Sequence, residues 1–133
     1  WRGARGRGCE CVAVAHGRAS GAVRAVQRGP WRLGFGVGFA PGRADLGVDV
    51  EKRGRRGRAS PRTAVPPGAV AIANRQTVIY PNRLPGGWHI IGTTPLTMFD
   101  PARDPAAYLQ PGDSVRFVPI TPDEFQRLRE ARP

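Results

Sequence analysis

Large apolar side chains recur at every second position, or run unbroken for a few residues, through the patterned parts of this chain, and a helical period surfaces only near its end. In WRLGFGVGF, residues 31–39, the side chains of Trp31, Leu33, Phe35, Val37 and Phe39 share one face, which predicts a half-buried strand weakened by its glycines. Residues 69–73 (AVAIA) are apolar throughout and predict a short buried strand. Residues 76–80, 88–91 and 96–99 are rich in β-branched and aromatic side chains and predict three more. A further strand is expected over 114–120, with Val115, Phe117 and Pro119 on one face. Along 76–80 the alternation sets Gln76 and Tyr80 on one face and Thr77 and Ile79 on the other.

Turns separate these runs. Ala40-Pro41-Gly42, Pro66-Pro67-Gly68 and residues 81–87 and 110–113 carry Pro/Gly turn chemistry, residues 51–58 read as a charged loop, and Asn74-Arg75 joins two β runs as a tight hairpin. Three helical signals remain. Residues 12–26 allow a short helix after Ser20, although Gly17 and Gly21 each cost ~1 kcal/mol relative to Ala. Asp104 can cap a helical turn running to Leu109, with Pro105 at its first position. The tail TPDEFQRLREARP opens with Thr121, Pro122 and Glu124, a capping box with Pro at N1, and predicts a C-terminal helix packing Phe125 and Leu128.

Many short strands between Pro/Gly turns predict a mainly β fold, a closed or nearly closed barrel with short peripheral helices. The 18 Gly and 14 Pro agree with that, and 133 residues suit one domain. We place it at residues 31–133, after a poorly ordered or truncated remnant over 1–30 whose first eight residues are Arg/Gly monotony. The chain begins at Trp1, as a fragment would.

Charge changes this picture little. Residues 1–63 hold 14 Lys+Arg against 4 Asp+Glu, and residues 64–133 hold 7 against 6, so the net +11 is concentrated in the first half. Arg/Gly segments there could neutralise phosphates, but no aromatics are interleaved for base stacking, and nucleic acid is not the expected partner. Cys9 and Cys11 are expected as free thiols of a reducing cytoplasm, with neither a disulfide between them nor a second pair to complete a zinc site. No long apolar run predicts membrane spanning, and no signal-peptide pattern predicts export.

The densest chemistry lies between residues 62 and 89. Gly86-Gly87 offers backbone N–H groups suited to an anionic oxygen, or marks a sharp hairpin in which glycine is sterically required, and both readings stand. Arg62 and Arg75 could clamp a carboxylate or phosphate, Arg62 being the better candidate. Gln76 and Tyr80 are plausible pocket residues or structural hydrogen-bonding groups. Trp88 can anchor an interface. His89 could act as a general base, yet no Ser, Cys or Asp at motif spacing makes it part of a triad, and a lone strand histidine is commonly structural. No phosphate-loop motif or metal-ligand cluster occurs, so catalytic residues are not assigned and no metal is expected.

Three segments carry a resemblance to a known family. QTVIYPNRLPGGWHIIGTTP (76–95), SPRTAVPPGAVAIAN (60–74) and GFAPG (38–42) resemble the family of the 5-oxoprolinase B subunit, KipI and allophanate hydrolase subunit 1, in its C-terminal carboxyltransferase-type part. Arg43, Asp45 and Val48 depart from it by placing charge where a packed turn would follow GFAPG. The resemblance implies a cyclophilin-like β-barrel. It also implies membership of an ATP-dependent complex that opens 5-oxo-L-proline to L-glutamate, with a C-type partner protein of similar fold and an amidohydrolase-like A-type partner protein. Arg62, Gln76, Tyr80, Gly86, Gly87, Trp88 and His89 would then lie near the substrate. The alternatives are a carboxyltransferase or allophanate hydrolase-type component of urea metabolism and a KipI-like inhibitor of a histidine kinase. A peptidyl-prolyl isomerase is not expected, because fold alone does not carry that function.

Overall fold

The computed structural model describes residues 8–15, 31–33, 44–47, 57–73, 76–110 and 113–131. Its strands are β1 (Gly8–Ala15), β2 (Trp31–Leu33), β3 (Ala44–Gly47), β4 (Arg62–Val65), β5 (Ala69–Ala73), β6 (Gln76–Ile79), β7 (Leu84–Gly86), β8 (His89–Thr93) and β9 (Ser114–Pro119), followed by helix α1 (Pro122–Glu130). Seven strands hydrogen-bond in the order β1-β8-β5-β6-β3-β2-β9 and return to β1, closing a barrel. The closing contact is parallel, Gly8 opposite Ser114 through Ala13 opposite Pro119, while the other barrel pairs are antiparallel. Closure leaves no free edge among these seven strands. The expected mainly β class therefore holds.

β4 and β7 stand apart as a two-stranded ribbon, with Arg62 opposite Gly86 and Val65 opposite Leu84. Two cores follow from the alternation along the central strands. Val70 of β5, Ile79 of β6, Ile91 of β8, Val115 and Phe117 of β9 and Cys11 of β1 turn inward with Met98 and Leu109. Ala69, Ala71, Val78 and Tyr80 turn outward and are covered by Val65 and Leu84 of the ribbon, with Trp88 and Ile90. Residues one apart on β5 and β6 thus belong to different cores, as a period of two requires.

The junction of the two layers is a turn whose geometry only glycine fits. Gly68 has φ +83, and a Cβ there would lie 2.5 Å from the Thr94 carbonyl oxygen. Its N–H donates to the Tyr80 carbonyl at 2.7 Å, and its own carbonyl accepts from the Thr94 N–H at 2.9 Å. The Pro66-Pro67-Gly68 turn agrees with expectation, and Ala73 stands opposite Gln76, while the expected hairpin link at 74–75 lies outside the described residues.

Several expectations need correction. Residues 96–99 are not a strand; they keep only an isolated bridge between Phe99 and Ala107. No helical turn forms over 104–109, where the Asp104–Pro105 peptide is cis. Arg103 explains the irregular path, because it takes the carbonyls that regular structure would use. Its Nε donates to Pro105 O at 3.3 Å and Nη1 to Thr97 O at 3.2 Å. Nη2 donates to Ala106 O at 2.9 Å and Met98 O at 3.4 Å, and the guanidinium lies over the Tyr108 ring.

Gly8–Ala15, expected within a poorly ordered stretch or leading into a helix, form β1; residues 1–7 and 16–30 lie outside the described residues. The strand expected over 31–39 is described only as β2, and 34–43 and 48–56 also lie outside. Three further strands went unread: β3, where the departure at Asp45 falls, and both strands of the ribbon. The C-terminal helix forms with the expected box. Glu124 N–H donates to Thr121 Oγ1 at 3.2 Å and Thr121 N–H to Glu124 Oε2 at 3.4 Å. Phe125 is half-buried, but Leu128 is 43% exposed and not packed as expected. Pro119 is likewise exposed while Val115 and Phe117 are buried.

Candidate functional site

Chain direction brings most of the candidate residues to one end of the barrel. β6 and β8 both run antiparallel to β5, so both begin where β5 ends: Gln76 stands opposite Ala73, and His89 opposite Ile72. The ribbon also reaches this end, because β7 crosses the outer face and delivers Gly87 and Trp88 directly into β8. Arg62, Gly86, Gly87, Trp88 and His89 are therefore neighbours. Gln76 is exposed two strands away from His89, about 10 Å at ordinary strand spacing. Tyr80 lies at the far end of β6, yet its ring lies under Gly86.

Gly86 and Gly87 play different parts. A Cβ on Gly86 would collide with the Tyr80 hydroxyl and stand 2.8 Å from Cζ, so glycine lets the ribbon backbone rest directly on the phenol. Tyr80 is only 3% exposed there. A Cβ on Gly87 would make ordinary contacts at 3.5 Å with Pro61, and the Gly87 carbonyl accepts from the Arg58 N–H at 2.6 Å. Of the two sequence readings, the steric one describes Gly86 and neither is needed to explain Gly87.

Arg62 is half-buried, with Nη1 donating to the Trp88 carbonyl at 3.1 Å. That bond ties the guanidinium to the ribbon's exit toward β8, and no other described residue takes up its remaining N–H groups. A planar fork held in this way suits a carboxylate or other two-oxygen group. Trp88 is half-buried against the outer core. Arg75 lies outside the described residues. Among the described residues, no group of three His, Cys, Asp or Glu side chains could hold a metal ion, and no helix is long and apolar enough to cross a membrane.

Two features escaped the reading of the sequence. Thr77 faces inward from β6 at this same end, 1% exposed, and its Oγ1 has no hydrogen-bond partner among the described residues. Its place in the alternation was legible; its isolation was not. Deeper in, the buried Cys11 thiol donates to Thr94 Oγ1 at 3.7 Å.

The family model of the carboxyltransferase domain, subdomain C and D, matches residues 1–109. The chain belongs to this carboxyltransferase-domain family. Within it, the chain is 53% identical over 83 residues to the 5-oxoprolinase B subunit of Escherichia coli O157:H7, covering 62% of this chain and 38% of the relative. It is 42% identical over 94 residues to the 5-oxoprolinase B subunit of Bacillus subtilis, covering 71% and 39%. The chain thus spans well under half the length of these two relatives. A conserved uncharacterized protein from Pyrococcus horikoshii superposes with a TM-score of 0.82 at 34% identity, over 90% of this chain and 62% of that one. The urea carboxylase of Kluyveromyces lactis superposes with a TM-score of 0.65 at 24% identity, over 84% of this chain and 10% of that one, a likeness of fold alone.

Proposed function

We propose that this chain serves as the barrel part of a 5-oxoprolinase B subunit, in a complex that opens the lactam of 5-oxo-L-proline to L-glutamate with ATP hydrolysis. The observation that carries the reading is the 53% identity to a protein of that name over 83 residues, a stretch long enough to include much of the ribbon and barrel. The geometry supports it. A half-buried guanidinium tied to the Trp88 carbonyl can orient a substrate carboxylate, and orientation is what a component without an assigned nucleophile would contribute. Opening an unreactive amide also needs an electrophile made by phosphorylation and a stabilised oxyanion. Both belong to the assembled complex. Gly86-Gly87 leads into strand β8 and not into a helix whose N-terminus would hold phosphates, so no residue of this chain is assigned to ATP. The partners are a C-type protein of similar fold and an amidohydrolase-like A-type protein, in the cytoplasm.

The test is reconstitution. Mixed with both partner proteins, the chain is expected to co-elute with them and to restore 5-oxo-L-proline-dependent ATP hydrolysis, and alone to show none. Arg62→Leu should raise the KM for 5-oxo-L-proline about tenfold or more with the complex intact. Failure to bind either partner, or stimulation by urea in place of 5-oxo-L-proline, would overturn the reading, the second in favour of the urea-metabolism alternative.

A further inference from the structure

We infer that the inward-facing row Thr77, Ile72 and His89 is a binding site for a small amide or carboxylate, whose oxygen accepts a hydrogen bond from the Thr77 hydroxyl. The ligand class rests on the proposed function; the site rests on the structure. Thr77 lies opposite Ile72, and Ile72 opposite His89, so the three are adjacent across β6, β5 and β8. Thr77 follows the inward alternation of Ile79, Ile72 packs against the inner core, and directly paired residues share a face. The row is therefore one continuous strip of inner wall.

Buried hydroxyls are nearly always hydrogen-bonded, and among the described residues Thr77 Oγ1 has no partner. Valine would fill the same volume without that penalty. A hydroxyl here gains a purpose when a group from outside the chain takes its proton. Ile72 and His89 are half-buried, so the strip reaches solvent at the barrel rim. From Thr77 to His89 is two strand spacings, about 10 Å. A small molecule lying along this span would set an acceptor oxygen at Thr77, its methylenes on Ile72 and a second polar end toward His89. 5-Oxo-L-proline has that form, a carbonyl and a carboxylate separated by a short apolar arc. Urea has acceptor and donors but no methylenes for Ile72.

Amide NMR spectra of this chain, titrated with 5-oxo-L-proline, L-glutamate and urea, test the site. The expected result is that 5-oxo-L-proline shifts the amides of Thr77, Ile72 and His89. Thr77→Val should weaken binding about tenfold or more, while the Tm of the free chain stays level or rises, and Thr77→Ser should retain binding. If Thr77→Val binds all three ligands as wild type does, or if none of them perturbs the row, the inference falls. Shifts confined to other residues overturn it too, and leave the proposed function standing. Should urea or L-glutamate bind the row through Thr77 while 5-oxo-L-proline does not, the site stands and the 5-oxoprolinase reading falls.

Discussion

Ile79 and Tyr80 are consecutive residues that serve different structures. Ile79 points into a barrel whose strands close on one another, where it is fully buried among Val70, Ile91, Val115 and Phe117. Tyr80 points out, under a ribbon of two short strands that is held down by a few single contacts. The inner core is redundant: losing one side chain leaves a closed hydrogen-bond ladder around the gap. The outer core depends on the Gly86 backbone resting on the Tyr80 ring, the Arg62 bond to Trp88 and the Arg58 bond to Gly87. Most candidate functional residues belong to this outer layer. A surface that must meet a partner or substrate is thus mounted on a rigid barrel without being part of its closure.

The comparison predicts different failures. Ile79→Ala removes a fully buried side chain from the inner core and should cost about 2–5 kcal/mol, lowering the urea midpoint of the whole domain in one transition. Retention of near wild-type stability would mean that the barrel interior is not the main source of cohesion.

Gly86→Ala should cost less, about 1–3 kcal/mol, because one overpacked atom lifts the ribbon from Tyr80 while the barrel stays closed. Hydrogen exchange should rise at β4 and β7 and stay slow at β5 and β6. Combined with Tyr80→Leu, which removes the ring that the new methyl group meets, the two costs should add to less than their sum. Full additivity would show that the contact does not hold the ribbon.

The two cores were unequally legible in the sequence. The unbroken apolar run of 69–73 was enough to announce β5, the alternation in 76–80 was enough to place Ile79 and Tyr80 on opposite faces, and the Thr121–Glu124 box was enough to start α1. The ribbon was not legible, because LPG and RTAV are too short and too rich in Pro, Gly and charge to carry a strand period. Only the contact with Tyr80 gives them a reason to be extended. Residues 96–109 failed for a similar reason: their path is set by Arg103, whose four carbonyl acceptors no local pattern announces. Of the candidate site, Arg62, Gly86, Gly87 and Trp88 come together, with His89 next in the chain but facing the inner wall, whereas Gln76 is separated from Tyr80 by the length of β6. Sharing a face along β6 does not by itself bring two residues together.

A change outside both cores calibrates the contrast. Thr121→Ala removes the α1 cap and should cost about 1 kcal/mol, with exchange rising in α1 while the ratio between ribbon and barrel amides is unchanged. Selective loosening of the ribbon would show that α1 supports it.

The smallest expected effect is the most informative about function. Gly87 is next to Gly86, but it does not have the left-handed φ of Gly68, and a Cβ would meet Pro61 at an ordinary distance. Gly87→Ala should therefore change stability by no more than about 0.5 kcal/mol, with its carbonyl still accepting from Arg58. Any loss of partner affinity or of 5-oxo-L-proline-dependent turnover in that variant cannot then be blamed on the fold. Such a loss would place the Gly87 backbone at the contact itself, as would a larger loss with Gly87→Val at equal Tm. If both variants assemble and turn over as wild type does, Gly87 is only a link between ribbon and barrel, and the functional surface must be sought at Arg62 and Trp88.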